Sequence, residues 1–265
     1  MAVAECEGAP IYYEVAGEGP VVALCHGLCG ELSHVRNVVG PLPGYRTVLW
    51  DARGHGRTPP GALDTYTFDV FARDLAALLD HLGITEAVIG GISMGAAVST
   101  RFALNHPERT RGLVLIRPAW LTSPLPDGLR LFPVVADYLG RFSAEEGCRL
   151  LEQSAEYQAL HDTFPDTAAT LRAQLFEKDA AARSGRLHGI PNDTPIRSWD
   201  EITVLEMPTL VFGNTPDVVH PLSFAMEWAQ RLPRGEFVQT PSRTLEFEQH
   251  AEVVRVHLRN FLAAL

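Results

Sequence analysis

The sequence has few cysteines, and their spacing does not indicate a metal site. The four are Cys6, Cys25, Cys29 and Cys148. Cys25 and Cys29 flank "HGL", but no second pair matches them elsewhere in the chain, as a zinc site would require. A disulfide framework is no better supported, and reduced thiols in a cytoplasm fit best.

Long apolar runs are lacking as well. No run approaches the ~20 residues that are needed to span a bilayer. The N-terminal stretch "MAVAECEGAPIYYEVAGEG" carries acidic residues where a secretory signal has basic ones, and it has no apolar core of its own. We therefore expect a cytoplasmic protein with no membrane partner.

Clustered positive charge is also absent. The chain has 22 Lys and Arg against 32 Asp and Glu, which gives a formal net charge of −10. Nucleic-acid binding needs clustered basic residues to displace counterions, so a nucleic-acid partner is not expected. No G-x-G-x-x-G follows a strand and no histidines have metal-ligand spacing, so neither a nucleotide, a metal nor another cofactor is predicted.

Short apolar runs alternate with helical patterns along the 265 residues. Strands are predicted at "IYYEV", "VVALC", "TVLW", "AVIGG", "LVLI", "PTLVFG" and "GEFVQT". The middle runs are nearly all apolar, which is typical of parallel strands covered on both faces. Residues 118–200 are rich in proline and helical patterns. The sequence thus predicts an α/β fold with a doubly wound, mostly parallel sheet from 1–117 and 201–265, and a helical cap at 118–200 inserted after the sixth strand.

Polar and glycine-rich segments directly follow four of the predicted strands. They are "HGLCG", "DARGHGRT", "SMG" and "NTPDVVHP". Because ligands bind beyond the carboxyl ends of the strands in such a sheet, these segments are expected to meet at one rim and form the site.

The segment "GISMG" matches the G-x-S-x-G pattern of a nucleophile elbow. The preceding strand is predicted to end at Ile92 and a helix to begin at Met94, which is the setting that places Ser93 above the sheet. The backbone N–H groups of Leu28 and Met94 are the predicted oxyanion donors. Gly27 has no side chain, so its backbone can approach the ligand.

These motifs resemble those of the α/β-hydrolase fold superfamily with a single helical cap. "HG", "DARGHG" and "GISMG" stand in that family's usual order, and the resemblance covers essentially the whole chain. It implies that Asp217, after the next-to-last strand, is the catalytic acid. The superfamily includes esterases, C–C bond hydrolases, peptidases, lyases and receptors, so the resemblance does not specify a substrate. Ser93 argues against epoxide hydrolases and haloalkane dehalogenases, which carry Asp there.

The sequence departs from the family at the catalytic histidine. The family places Gly-His directly after the last strand, and here Ser242 and Arg243 occupy those positions. An arginine stays protonated, so Arg243 cannot accept the proton of Ser93.

Three alternatives follow for the base. Our prediction is His250, which shares the buried face of the last helix with Val254 and would be oriented by Asp217. The second is His220, close to Asp217 in sequence. In the third no base serves Ser93, and the protein is a lyase, a cyclase or a ligand-binding protein. Arg243 then either holds an anionic substrate or is an ordinary solvated surface arginine.

The predicted function is that of a serine hydrolase acting through an acyl-enzyme, with Ser93, Asp217 and His250 as the triad. Its substrate is expected to be small and largely apolar, with an ester or related acyl-type bond. Apolar side chains of the cap are predicted either to line the pocket or to pack the cap on the core, namely Trp120, Leu121 and Leu125, together with Leu129 and Phe132. A small molecule is the only partner expected, and a monomer and a homodimer both remain open.

Overall fold

A computed structural model describes residues 2–6, 8–62 and 65–265. Eight strands form one sheet in the order β1-β2-β4-β3-β5-β6-β7-β8. β1 and β2 pair antiparallel, as do β2 and β4, and all the other pairs are parallel. The strands are β1 (Ala2–Cys6), β2 (Ala9–Ala16), β3 (Val21–Cys25), β4 (Arg46–Trp50), β5 (Ala87–Ile92), β6 (Thr110–Ile116), β7 (Thr209–Asn214) and β8 (Gly235–Thr240).

Eleven α-helices connect and cover these strands in the described part of the chain. Six of them, α4 to α9, lie between β6 and β7 in sequence. Among the described helices, none combines the length and the apolar character needed to cross a membrane. The helices are α1 (Leu32–Val39), α2 (Phe68–His81), α3 (Met94–Asn105), α4 (Leu131–Arg141), α5 (Ala144–Gln153), α6 (Ala155–Thr163), α7 (Pro165–Gln174), α8 (Ala180–Arg183), α9 (Gly185–Gly189), α10 (Leu222–Arg231) and α11 (Phe247–Ala263).

The sheet is covered on both faces, which explains its continuous apolar strands. In β3, Val22 and Leu24 pack with α1 and α11, whereas Ala23 and Cys25 pack with α2 and α3. Successive side chains of a strand point to opposite faces, so a strand buried on both sides must be apolar at every position. The predicted α/β fold class is confirmed.

One strand, β1, was not predicted from the sequence. Its sequence is "AVAEC", and only Ala4 and Cys6 are fully buried. Such small residues give a weak apolar signal, and the strand lies at the sheet edge, where only β2 pairs with it.

The close packing of the elbow against β3 predicts an effect on stability. A Cβ added at Gly95 would lie 2.3 Å from the carbonyl oxygen of Cys25 and 2.9 Å from that of His26. Because both contacts are to backbone, Gly95→Ala should lower the free energy of unfolding by about 1–3 kcal/mol or more. Urea unfolding measures this change.

Gly140 provides the matched control for this substitution. It lies in α4, and a Cβ added there meets nothing within 4 Å. Gly140→Ala should leave stability unchanged or raise it by up to about 1 kcal/mol, because alanine has less conformational freedom to lose. An equal effect of the two substitutions would contradict the steric explanation.

Candidate active site

Ser93 lies at the turn between β5 and α3, in a backbone conformation that is unusual for a residue with a side chain. Its φ is 56°, and its N–H donates to the carbonyl of Ile116 at 2.8 Å. This is the strained strand–turn–helix geometry of a nucleophile elbow. Gly91 makes the turn possible, since a Cβ there would lie 2.5 Å from the carbonyl oxygen of Cys25.

The imidazole in contact with Ser93 belongs to His220. Ser93 Oγ lies 2.8 Å from His220 Nε2. The other ring nitrogen, Nδ1, lies 2.9 and 3.0 Å from the two carboxylate oxygens of Asp217. The structure thus brings a hydroxyl, an imidazole and a carboxylate into one hydrogen-bonded chain, which is the arrangement of a catalytic triad.

The acid and the base lie on the same loop between β7 and α10. Asp217 Oδ1 accepts the backbone N–H groups of Val219 at 3.2 Å and His220 at 3.0 Å. This turn is typical of Asp, whose side chain can bond the backbone two or three residues later. The same carboxylate therefore shapes the loop and orients the ring.

The structure places His250 elsewhere, and this corrects our choice of base. Its Nδ1 lies 2.8 Å from Thr240 Oγ1 and 3.3 Å from the carbonyl oxygen of Pro241, to which it donates. Helical periodicity correctly identified a buried side chain, since His250 is buried. The ring is nevertheless bonded to the end of β8 rather than to Ser93. Burial, with a further contribution from Arg117, lowers the pKa of His250 to about 4, so the ring is neutral at pH 7.

Arg117 is a member of the site that the sequence analysis missed. Its Nε and Nη2 donate to Asp217 Oδ2 at 3.1 and 2.5 Å, and Nη2 also lies 2.8 Å from His220 Nδ1. Arg117 directly follows β6, so it lies at the same rim as the other segments. That position is the signal that could have identified it.

The charges of Asp217 and Arg117 set the protonation of His220. Burial raises the pKa of Asp217, but His220 and Arg117 outweigh burial and hold it well below the usual range. Burial lowers the pKa of His220 and Arg117 lowers it further, while Asp217 raises it, and the net direction is downward. The ring is therefore neutral at neutral pH, as a general base must be.

The hydrogen on that neutral ring must be on Nδ1 for His220 to act as a base. Nδ1 then donates to Asp217, and Nε2 is free to accept the proton of Ser93. Arg117 Nη2 donates toward the same Nδ1 and favours the opposite tautomer. Asp217 counters this effect, because its carboxylate can only accept and lies next to Nδ1.

This arrangement predicts the pH dependence of any reaction in which His220 accepts the proton of Ser93. Activity should fall as the pH drops through the pKa of His220, and this acidic limb should lie below the ordinary histidine value of 6.5. Arg117→Met removes a cause of the lowering, so the limb should move to higher pH. The measurement is kcat/KM for p-nitrophenyl butyrate against pH.

The control for the pH profile is Arg109→Met, which removes an arginine that pairs with Asp80 away from the site. Its limb should coincide with that of the wild type. A limb that does not move in Arg117→Met would show that Arg117 has no electrostatic effect on the base.

The loop after β3 lies against Ser93. Leu28 lines the same cavity as Ser93, and a Cβ added at Gly27 would lie 3.2 Å from Ser93 Cβ. His26 fixes this loop, because its Nε2 accepts the N–H of Ala52 at 3.1 Å and its Nδ1 donates to the carbonyl of Gly27 at 2.8 Å. Burial lowers the pKa of His26 to about 4, which keeps the ring neutral in this role.

The two predicted oxyanion donors have no other hydrogen-bond acceptor in the part of the chain that the structure describes. Within residues 2–6, 8–62 and 65–265, neither the N–H of Leu28 nor that of Met94 donates to another residue. Met94 is the first residue of α3, where helical N–H groups have no intrahelical acceptor.

A cavity of about 300 Å³ opens next to Ser93. Of the five apolar residues that were predicted to line it, Leu129 and Phe132 do so. Other apolar side chains at its surface include Leu28, Phe164, Val219 and Phe247.

Trp120, Leu121 and Leu125 do not line this cavity, which corrects our prediction for them. The ring of Trp120 packs edge-on against Phe68 at 5.1 Å and is buried in the core. Leu121 packs into the cluster under α10, and the N–H of Leu125 donates to Pro191 at 2.6 Å. The segment that leaves β6 therefore packs on the core before the chain turns toward the cavity.

Comparisons with known proteins agree with this fold. Residues 20–244 match the family model described as alpha/beta hydrolase fold. The 2-hydroxy-6-oxo-6-phenylhexa-2,4-dienoate hydrolase of Comamonas testosteroni is 36% identical over 233 residues, which are 82% of this chain and 78% of that protein. A Burkholderia cepacia protein of the same name is 36% identical over 246 residues, which are 85% of this chain and 81% of its own length.

Solved structures show the same fold at lower identity. The enol-lactonase of Burkholderia xenovorans LB400 has a TM-score of 0.76 at 22% identity, covering 98% of this chain and 99% of its own. A meta-cleavage product hydrolase of Pseudomonas fluorescens IP01 has a TM-score of 0.74 at 23% identity, covering 100% of this chain and 98% of its own. The protein therefore belongs to the α/β-hydrolase fold family.

Proposed function

We propose that the protein is a serine hydrolase that cleaves an ester or related acyl-type bond through an acyl-enzyme. The observation that carries this proposal is the chain from Ser93 Oγ to His220 Nε2, at 2.8 Å, and from His220 Nδ1 to Asp217, at 2.9 Å. A serine hydroxyl is a weak nucleophile until an adjacent base accepts its proton. His220 is that base in our proposal, and Asp217 holds its tautomer.

The reaction follows from this arrangement. Ser93 Oγ attacks the carbonyl carbon while its proton passes to His220 Nε2, and the N–H groups of Leu28 and Met94 stabilise the oxyanion that forms. The imidazolium then protonates the leaving group, and the acyl-enzyme results. Water attacks the acyl carbon with His220 again accepting a proton, and Ser93 leaves as its hydroxyl.

The names of the relatives support this class of reaction. Two relatives at 36% identity are named as hydrolases of a dienoate. We infer hydrolysis in general for this chain from them, and the acyl-type bond from the triad. A non-hydrolytic function was an alternative because no base was evident at the usual position, and the contact of His220 with Ser93 removes that reason.

Covalent labelling tests the proposal. A fluorophosphonate should modify the folded protein at Ser93, identified by peptide mass spectrometry, and should abolish hydrolysis of p-nitrophenyl butyrate in proportion to labelling. Ser93→Ala should prevent the modification. Ser99→Ala is the matched control, because Ser99 is a buried serine of α3 whose hydroxyl bonds Gly95 at 2.7 Å. Labelling at another residue, or no labelling, would contradict the assignment of Ser93 as the nucleophile.

A further inference from the structure

Arg243 lies in the cavity next to the proposed triad. It lines the same space as Ser93 and His220, at the start of the segment that joins β8 to α11. It stands where the family usually has its histidine, and His220 occupies the contact with Ser93. The role of Arg243 must therefore be something other than proton transfer.

Among the described residues, none forms an ion pair with the guanidinium of Arg243. Across the residues that the structure describes, no hydrogen bond or ion pair reaches it, whereas Arg117 in the same cavity is engaged by Asp217. The nearest carboxylates that affect it are those of Asp217 and Asp166, and neither forms an ion pair with it. Asp217 is already bonded to Arg117 and His220.

The electrostatic surroundings of Arg243 are unfavourable for a cation. Burial lowers the pKa of Arg243, and Arg117 lowers it further, although Asp217 and Asp166 act in the opposite direction. Its charge in turn lowers the pKa values of His34 and His220. Arginine nonetheless stays protonated at neutral pH, and Arg243 is an exposed residue of the cavity lining, so its positive charge is open to a ligand that enters from solvent.

Other walls of the cavity are apolar. They are formed by apolar side chains from the β3 loop and the segments around α4 and α7, namely Leu28, Leu129, Phe132 and Phe164. A ligand that fits both surfaces has an apolar body and one anionic end. A planar guanidinium is suited to bind a carboxylate through two parallel hydrogen bonds.

We propose that Arg243 is a specificity-determining residue that binds a carboxylate of the substrate, away from the acyl carbon that Ser93 attacks. This inference rests on the proposed function and adds a substrate class to it, that of anionic acyl compounds with an apolar body. Two polar residues of α1, His34 and Asn37, line the same cavity.

The test uses matched substrates that differ only in the distal charge. These are p-nitrophenyl monoesters of glutaric, adipic and suberic acid, each with its other carboxyl either free or methylated. The wild type should prefer the free acid of the fitting length by about tenfold or more in kcat/KM, the order of one charge-assisted hydrogen bond. Arg243→Met should abolish this preference by slowing the free acid alone, and Arg243→Lys should retain part of it.

Two further variants test whether the preference for the free acid depends on Arg243 in particular. Arg149→Met removes an exposed arginine of α5 that pairs with Glu146, and its preference should equal that of the wild type. Asp166→Asn removes a negative charge of the cavity lining that acts on Arg243 without pairing with it and that repels an anionic ligand, so the preference should increase. The proposal is overturned if Arg243→Met slows the free acids and methyl esters equally, as a structural role or a latch to Asp166 would.

A binding measurement keeps this inference separate from the proposed hydrolysis. Calorimetry with the Ser93→Ala protein should detect suberate monomethyl ester but not the dimethyl ester, and the Ser93→Ala/Arg243→Met protein should bind the monomethyl ester at least about tenfold more weakly. If no ester is hydrolysed yet this binding pattern appears, hydrolysis fails and the anion site stands. If esters are hydrolysed and neither preference nor binding depends on Arg243, the anion site fails alone.

Discussion

Replacing His220 by alanine is expected to lower kcat for p-nitrophenyl butyrate by about 10⁴-fold or more, as the loss of a triad histidine does. Within the described ranges, the group at hydrogen-bond distance that can accept the proton of Ser93 is His220 Nε2, at 2.8 Å, and the substitution removes it. The measurement is steady-state kinetics, with fluorophosphonate labelling as a second readout.

His250→Asn is the control that separates the two histidines. The asparagine amide can replace the donor that His250 Nδ1 presents to Pro241 and Thr240, so the fold at the end of β8 is preserved. This variant should keep kcat within about threefold of the wild type, a change of well under 1.4 kcal/mol, because the buried His250 does not contact Ser93 and its own hydrogen bonds are retained. Added imidazole should partly restore His220→Ala only. If His250→Asn is the inactive variant, the base is misassigned.

Asp217→Asn is expected to reduce kcat by about 10⁴-fold, because an amide no longer enforces the tautomer with hydrogen on Nδ1. In this protein Arg117 adds to the effect, since its Nη2 lies 2.8 Å from the same Nδ1 and would then hold the opposite tautomer. Nε2 would carry the hydrogen and could not accept from Ser93. The measurement is kcat over the whole pH range in which the protein is folded.

The same substitution should also destabilise the protein. Arg117 and Asp217 form an ion pair whose side chains are each 10% exposed, and removal of one partner of a buried pair costs about 3–5 kcal/mol. The Arg117→Met/Asp217→Asn double variant should recover stability in urea unfolding but not activity. Recovery of activity in the double variant would contradict an essential role for the carboxylate.

The sheet and the elbow could be predicted from the sequence because both depend on local patterns. All-apolar runs identify strands that are buried on two faces, and the glycines around Ser93 are needed wherever two backbones come this close. Asp217 could be predicted for a related reason, since its position directly after β7 places it at the rim whatever the conformation of its loop.

The base could not be predicted in the same way. Helical periodicity identifies which side chains are buried, and it does so for His250, but it does not tell which atom a buried ring will bond. His220 depends on the turn that Asp217 makes with the N–H groups of Val219 and His220, and such turns leave no periodic trace in a sequence. Arg117, in contrast, could have been predicted, because the rule that polar residues after strands meet at one rim applies to it as well.

Placing acid and base together on the β7–α10 loop changes what the other loops can do. In a triad spread over two loops, every change of length or angle after the last strand also moves the imidazole. Here residues 241–246 carry no group that exchanges protons with Ser93. The sequence of residues 241–246 can therefore change during evolution and alter which substrates bind, while the rate of bond cleavage stays the same.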